Sequence, residues 1–281
     1  MDQNILPPGF AENTLIQQQC ILPEWDAPGN IKFLLTTRQG GCSKAPFDSF
    51  NLATHVDDDE RDVKKNRQKL ANVLPSEPVW LNQVHSNVVV NAASVALDTD
   101  ADGSYTIQPN VVSVVLTADC LPVLICTSQG DGVAALHAGW RGLLNGILEQ
   151  GVVKLLRATG RQPEDLLIWF GPAIGPENFE VGEEVRQEFL HKAQDKLLTA
   201  QCFAPVKNNT RGEKAQPFKE DKWFADIYQL ARLRLLQAGV ENVSGGNYCS
   251  YRDKEKFYSF RRDGKTGRMA SLIWIETRPL L

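Results

Sequence analysis

The chain has 281 residues, 42% of them hydrophobic and 23% charged, which is enough to bury a sizeable core in one large domain or two small ones. Its formal charge of -4 comes from 30 Lys+Arg against 34 Asp+Glu, so no basic surplus points to nucleic acid or an anionic membrane as a partner. MDQNILPPGFAENTLI lacks a charged n-region followed by an apolar core, no run of about 18 apolar residues follows, and six scattered cysteines form no CxxC pair; the expectation is a soluble cytoplasmic protein.

Taken in chain order, Ile31 to Thr36 (IKFLLT) reads as a strand that ends in the paired-glycine turn of TTRQGGCS. After the acidic run Asp57 to Glu60, Val63, Arg67, Leu70 and Leu74 recur at helical spacing, with acids at the favourable end of the helix dipole. Asn66 and Arg67 would lie on that helix. Val79 to Val84, Val88 to Val90, Val111 to Thr117, Leu121 to Cys126 and Val133 to His137 are short, rich in β-branched residues and bounded by turn formers, so the middle of the chain predicts a sheet. Leu143, Leu144, Ile147, Leu148, Val152, Leu155 and Leu156 mark one face of a helix that stops before Gly160, and Leu166 to Phe170 returns to strand. Helices near Val181 to His191 and Phe224 to Ala238 and a last strand near Ala270 to Ile275 complete a mixed α/β (α+β) pattern. No repeat or linker divides it, so one compact domain over residues 1–281 is expected, with sheets covered by helices and about the first 25 residues peripheral.

Three residues of metal-ligand type fall at strand ends. Cys120 lies between VVSVVLTADC and LPVLIC, at a bend that Pro122 reinforces because proline cannot donate a ladder hydrogen bond. Alone it would read as a small buried hydrophobe. His137 closes VAALH at the turn into AGWRG; alone it would read as a satisfied core histidine. His85, in LNQVHSN, ends a third apolar run. Together, two imidazoles and a thiolate suit zinc or copper and leave a fourth position open, the stoichiometry of a catalytic site. His55 reads as a neighbour of the site or a surface residue, and His191 as a cation at a helix end. Arg38, Asp119, Arg141, Arg261, Arg262 and Asp263 lie on loops or strand ends around the three; arginines there are commonly solvated, but several could hold an anion through their guanidinium forks.

The blocks TTRQGGCS, NLATHVDDD with KKNRQKL, NQVHSN, TADCLPVLI, LHAGWRG, GPAIGPENFEVGEEV and FYSFRRDGKTGR resemble, in order and spacing, the YfiH-like family, formerly labelled multicopper polyphenol oxidase or laccase-like and associated with purine nucleoside phosphorylase activity. The resemblance runs from about Phe33 to Ile275. It implies zinc on His85, Cys120 and His137, with copper as the alternative. It also implies phosphorolysis of adenosine, inosine, guanosine and methylthioadenosine with adenosine deamination as a side activity. Arg38, Cys120, Asp119 and Arg261 are then the expected catalytic residues, and Arg38, Arg141, Arg261 and Arg262 the expected substrate contacts. The partners would be purine nucleosides and phosphate, with neither nucleic acid nor membrane, in a monomer or homodimer. Glu177 and Asn178 stand where the family often carries a cysteine pair, so no role can rest on thiols there. Two other classes remain open at this level: a copper-dependent phenol oxidase, and a hydrolase or peptidoglycan-editing factor with Cys120 as nucleophile.

Overall fold

The computed structural model describes residues 19–96, 98–206 and 222–277. Its elements are β1 (Cys20–Ile21), β2 (Ile31–Thr36), α1 (Glu60–Ala71), β3 (Val89–Asn91), β4 (Gly103–Thr106), β5 (Ser113–Thr117), β6 (Leu121–Thr127), β7 (Val133–Ala138), α2 (Trp140–Leu144) and α3 (Ile147–Thr159). They continue with β8 (Leu166–Phe170), β9 (Glu180–Gly182), α4 (Glu183–Lys192), α5 (Lys196–Gln201), β10 (Phe203–Pro205), β11 (Lys222–Ala225), α6 (Ile227–Gln237), β12 (Val243–Gly245), α7 (Phe260–Asp263) and β13 (Met269–Ile275). The expected mixed α/β single domain is what these elements form.

Two sheets lie face to face. One has the order β1-β2-β13-β5 and the other β12-β8-β6-β7-β4-β3; a small third sheet, β10-β11-β9, stands apart. Alternation along the strands builds the layers. Phe33, Leu35, Val115 and Ile273 of the first sheet meet Leu124, Cys126, Val133, Ala135 and Trp169 of the second. The opposite face of the first sheet, with Leu34, Val114, Leu116, Leu272 and Trp274, is covered by Phe50, Leu52 and Leu70 of the loop and helix α1. The opposite face of the second, with Val123, Ile125, Leu136, Ile168 and Phe170, is covered by α3 and α6 through Leu148, Val152, Leu155, Leu230 and Leu235. Strands buried on both sides read as unbroken apolar runs, which is why β2, β6 and β7 were visible in the sequence.

Several expectations change. Val79 to Val84 makes only isolated bridges, Val79 to Ser113 and Asn82 to Asp100, in place of a strand. There the Gln83 side chain substitutes for a neighbouring backbone: its Nε2 donates to the Leu116 carbonyl and its Oε1 accepts from the Leu116 N–H. Gly103–Thr106, whose glycine and serine gave no strand signal, is an interior strand between β3 and β7. Pro122 lies inside β6, not at a break; it sits beyond the last β6–β8 pair, Val123 with Phe170, where its carbonyl still accepts from Gly171 N and no ladder donor is required of it. The helix expected after Gly142 is two, α2 and α3, separated at Gly146, whose φ of 91° a helix cannot accommodate. Val181 and Phe224 belong to strands, because α4 starts at Glu183 and α6 is capped by Asp226, whose side chain accepts from Gln229 N. Of the expected peripheral N-terminal segment, residues 1–18 lie outside the described residues, while Cys20–Ile21 pairs with β2 and Trp25 is buried against Phe33.

Candidate metal centre

The chain crosses from one sheet to the other at Ala118–Asp119–Cys120, between β5 and β6, and this crossing places Cys120 at the rim shared by both. The register of the antiparallel β6–β7 pair sets Pro122 opposite His137, so the penultimate residue of β7 comes beside the crossing. His85 arrives from a loop with φ 60°, a left-handed conformation uncommon outside glycine. One ligand atom from each of His85, Cys120 and His137 lies within 4.8 Å of the others, an arrangement that could hold a metal ion. His85 Nε2 is 3.8 Å from Cys120 Sγ, and the two imidazole rings meet edge to face at 4.8 Å between centroids.

Asp102, which sequence reasoning missed, organises this cluster. It is fully buried at the head of β4. One carboxylate oxygen accepts from His137 Nδ1 at 2.7 Å and from His85 N at 3.0 Å. The other accepts from Ser86 N at 2.6 Å, Ser86 Oγ at 2.7 Å and Val84 N at 3.2 Å. A single side chain therefore fixes the ring of one ligand and the backbone of another, and occupation of His137 Nδ1 leaves its Nε2 for a metal. The available sequence signal was slight: an Asp-Gly step at the start of a strand that itself carried no signal.

Charge within the cluster is compatible with metal ligation. Burial alone would raise the Cys120 thiol, but the His137 and His85 imidazoles outweigh it and pull it well below the ordinary thiol range. Burial alone would lower His137, but the Cys120 thiolate and the Asp102 carboxylate push it up. The donor set fits a borderline metal ion such as zinc or copper. The packing also fits. A Cβ at Gly139 would stand 2.8 Å from His85 Cδ2 and 3.1 Å from Cys120 Sγ, and one at Gly142 would stand 2.8 Å from Ser86 O, so the glycines of HAGWRG let α2 close against the ligand loop.

A cavity of about 170 Å3 opens beside Cys120, lined by Ala118, Asp119, Trp140, Ile174, Phe179, Ile227, Phe260 and Arg261. Phe260 is 58% exposed although it forms part of the wall. Arg261 lies over Phe179, donates from Nη1 to Glu180 O, and is anchored by its backbone N–H on Asp119 Oδ2 at 2.7 Å. The second oxygen of Asp119 accepts from Ser250 Oγ at 2.6 Å, and Asp119 itself has φ 97°. Arg141 is exposed and stacks at 4.4 Å on Trp140, which lines the cavity. Arg38 and Arg262 lie elsewhere: both line a separate polar cleft with Asp48, Lys254 and Asp263. The Arg262 guanidinium is spent on the carbonyls of Ser250, Tyr251 and Phe257 and on Asp263, and Arg38 on Asp48 and the carbonyl of Lys254. The structure thus brings Asp119, Cys120 and Arg261 to one cavity, joins it through Cys120 to His85 and His137, stacks Arg141 on Trp140 of its wall, and sets Arg38 and Arg262 apart. Trp140, Phe179 and Phe260, inside LHAGWRG, GPENFE and FYSF, were not singled out in the sequence because aromatic residues read as core.

A family model described as multi-copper polyphenol oxidoreductase laccase matches residues 32–276. The chain is 45% identical over 260 residues to a purine nucleoside phosphorylase of Haemophilus influenzae, covering 92% of this chain and 100% of that one. It is 46% identical over 258 residues to purine nucleoside phosphorylase YfiH of Escherichia coli, covering 91% and 98%. Among solved structures, a Neisseria meningitidis protein superposes with a TM-score of 0.82 at 41% identity, over 92% of this chain and 100% of that one. Bacillus licheniformis YfiH, a hypothetical protein by its description, superposes with a TM-score of 0.81 at 29% identity, over 93% and 98%.

Proposed function

The chain belongs to the YfiH-like family, and on that premise we propose that it is a zinc-dependent purine nucleoside phosphorylase acting in the cytoplasm. The observation that carries this reading is the shared wall of two features: Cys120 belongs both to the three-ligand cluster and to the largely apolar, aromatic-lined cavity beside it. A flat, apolar-faced base fits between such side chains, and its polar edge then faces the metal ligands. Relatives named purine nucleoside phosphorylase, matched over nearly their whole length, support the same reaction class.

In phosphorolysis a phosphate oxygen bonds to the anomeric carbon while the bond from that carbon to the purine nitrogen breaks, and the base leaves with the electron pair and takes a proton. His85, Cys120 and His137 would hold the metal ion, which supplies Lewis acidity to a substrate heteroatom when bound. Trp140, Phe179, Ile174 and Phe260 bind the base and exclude water. Asp119 holds Arg261 at the cavity mouth through the backbone hydrogen bond, and Arg261 with Arg141 offers cationic donors to the sugar or the developing negative charge. Asp102 keeps both histidines in their ligating orientation. Adenosine, inosine, guanosine and methylthioadenosine are the proposed substrates, with adenosine deamination as a side activity of the same pocket.

A second reading is favoured by the chain Asp102, His137, Cys120, a carboxylate, an imidazole with raised basicity and a thiol with lowered pKa, which is also the equipment of a cysteine nucleophile. Copper oxidase chemistry is the weaker fit, since the described residues hold one such three-ligand group and four-electron reduction of oxygen calls for several coppers. The deciding experiment purifies the protein without added metal, measures bound zinc and copper, and follows ribose 1-phosphate release from inosine with and without a chelator. Stoichiometric zinc and chelator-sensitive phosphorolysis are expected; full activity in metal-free protein overturns the assignment.

A further inference from the structure

Beside the aromatic cavity, two arginines and a histidine gather without forming ion pairs among the described residues, and Arg268 lies over Phe260 of the cavity wall at 5.9 Å. Arg67 of α1 stacks on Trp80 at 4.0 Å and donates only its Nε, to Leu52 O at 2.9 Å. Arg268, just before β13, is anchored by its backbone N–H on Asn51 Oδ1 at 3.0 Å and uses Nη1 on the carbonyls of Thr266 and Gly267. Both therefore hang on adjacent residues, Asn51 and Leu52, of the loop that carries His55. The Arg67 Nη atoms and the Arg268 Nε and Nη2 donate no hydrogen bond to a described residue. Both guanidiniums are partly desolvated, and the acids that Arg67 feels, Glu77 and Asp98, act from beyond ion-pair range. Arg268 feels Cys120 and Asp119 across the site. The His55 imidazole is held below its ordinary value by burial first, then by Arg268, Arg67 and His137, so all four groups share one electrostatic neighbourhood.

Clustering desolvated cations with unspent donors costs free energy unless an anion joins them. We propose that Arg67, Arg268 and His55 form the pocket for a tetrahedral oxyanion, inorganic phosphate as the co-substrate, adjoining the aromatic cavity at Phe260. The inference rests on the phosphorylase reading, deepens it, and moves the phosphate away from the Arg38 and Arg262 cleft. Guanidinium forks match phosphate oxygens, and a neutral imidazole adds one further donor.

The test uses the metal-loaded full chain. Calorimetric titration with inorganic phosphate and steady-state phosphorolysis of inosine are compared for wild type, Arg268→Gln, Arg268→Lys and His55→Ala. Arg268→Gln is expected to raise both the phosphate Kd and the phosphate KM at least tenfold, with the inosine KM within about twofold and metal content unchanged; His55→Ala should give a smaller rise of the same kind. Should Arg268→Gln fail to fold, Arg268→Lys, which keeps the charge and loses the fork, is expected to raise the phosphate Kd about threefold or more. Folded Arg268 variants that bind phosphate as wild type does overturn the proposal, as does an Arg268-dependent affinity for adenosine monophosphate without one for inorganic phosphate. Wild-type protein that binds phosphate through Arg268 yet does not phosphorolyse inosine would leave the anion pocket standing and remove the phosphorylase reading.

Discussion

Asp102→Asn removes one charge and replaces one oxygen by an amide nitrogen, in a position where every partner is a donor. Oδ1 accepts from His137 Nδ1 and His85 N, and Oδ2 from Ser86 N, Ser86 Oγ and Val84 N. Whichever way the amide turns, its NH2 opposes donors on one side. Turned toward Ser86 it confronts two backbone N–H groups and strains the loop that presents His85; turned toward His137 it forces the imidazole into the wrong tautomer or orientation. The loss of one such buried interaction costs about 1–3 kcal/mol. Loss of an orienting carboxylate behind a metal-bound histidine weakens metal affinity about 10–100-fold, or about 1.4–2.7 kcal/mol. The assay is competition for zinc with a chromophoric chelator, supported by the thiolate charge-transfer band of the cobalt-substituted protein. The zinc Kd should rise at least tenfold and the band should shift or weaken as the ligand geometry loosens. An Asp102→Asn protein with wild-type zinc affinity and an unchanged cobalt spectrum would refute the claim that this carboxylate sets the two ligands.

The other expectations divide site from scaffold. Gly139→Ala keeps an extended backbone that alanine tolerates, at φ -66° and ψ 161°, but its methyl meets His85 and Cys120, so metal affinity should fall at least tenfold by the same chelator competition while the metal-free unfolding temperature moves little. Ala118→Leu projects into the 170 Å3 cavity and should raise the inosine KM about tenfold or more without lowering metal content. Tyr228→Phe leaves the Ala173 N–H without its acceptor and the carbonyls of Gly171 and Tyr248 without their donor, a loss of about 1–3 kcal/mol measurable by urea unfolding. Acid titration probes Asp102 again: burial would raise its pKa, but His137 and Ser86 bring it below 3.8. A depressed carboxylate contributes stability above its unfolded pKa and loses it as pH falls through the lower folded value, so the metal-free wild type should lose stability below about pH 4 more steeply than Asp102→Asn.

Much of the frame was already written in the chain. Strands β2, β5, β6, β7 and β13 announced themselves because burial on both faces demands unbroken apolar runs, and α1 and α3 because their apolar residues recur at helical spacing. The three-residue cluster was legible for a related reason: His85, Cys120 and His137 are rare residue types, each set beside an apolar run, where their side chains are free to converge. What the sequence did not contain was pairing. Gly103–Thr106 became an interior strand because its neighbours supply the hydrogen bonds, not because glycine and serine favour strands. Asp102 became the anchor of the site only once β4 was laid against β7, bringing its carboxylate to His137. The arginines separate for the same reason. Arg38, Arg67, Arg141, Arg261, Arg262 and Arg268 look alike along the chain, and tertiary structure alone decides which of them spend nearly all their donors on carbonyls and carboxylates and which keep several unspent.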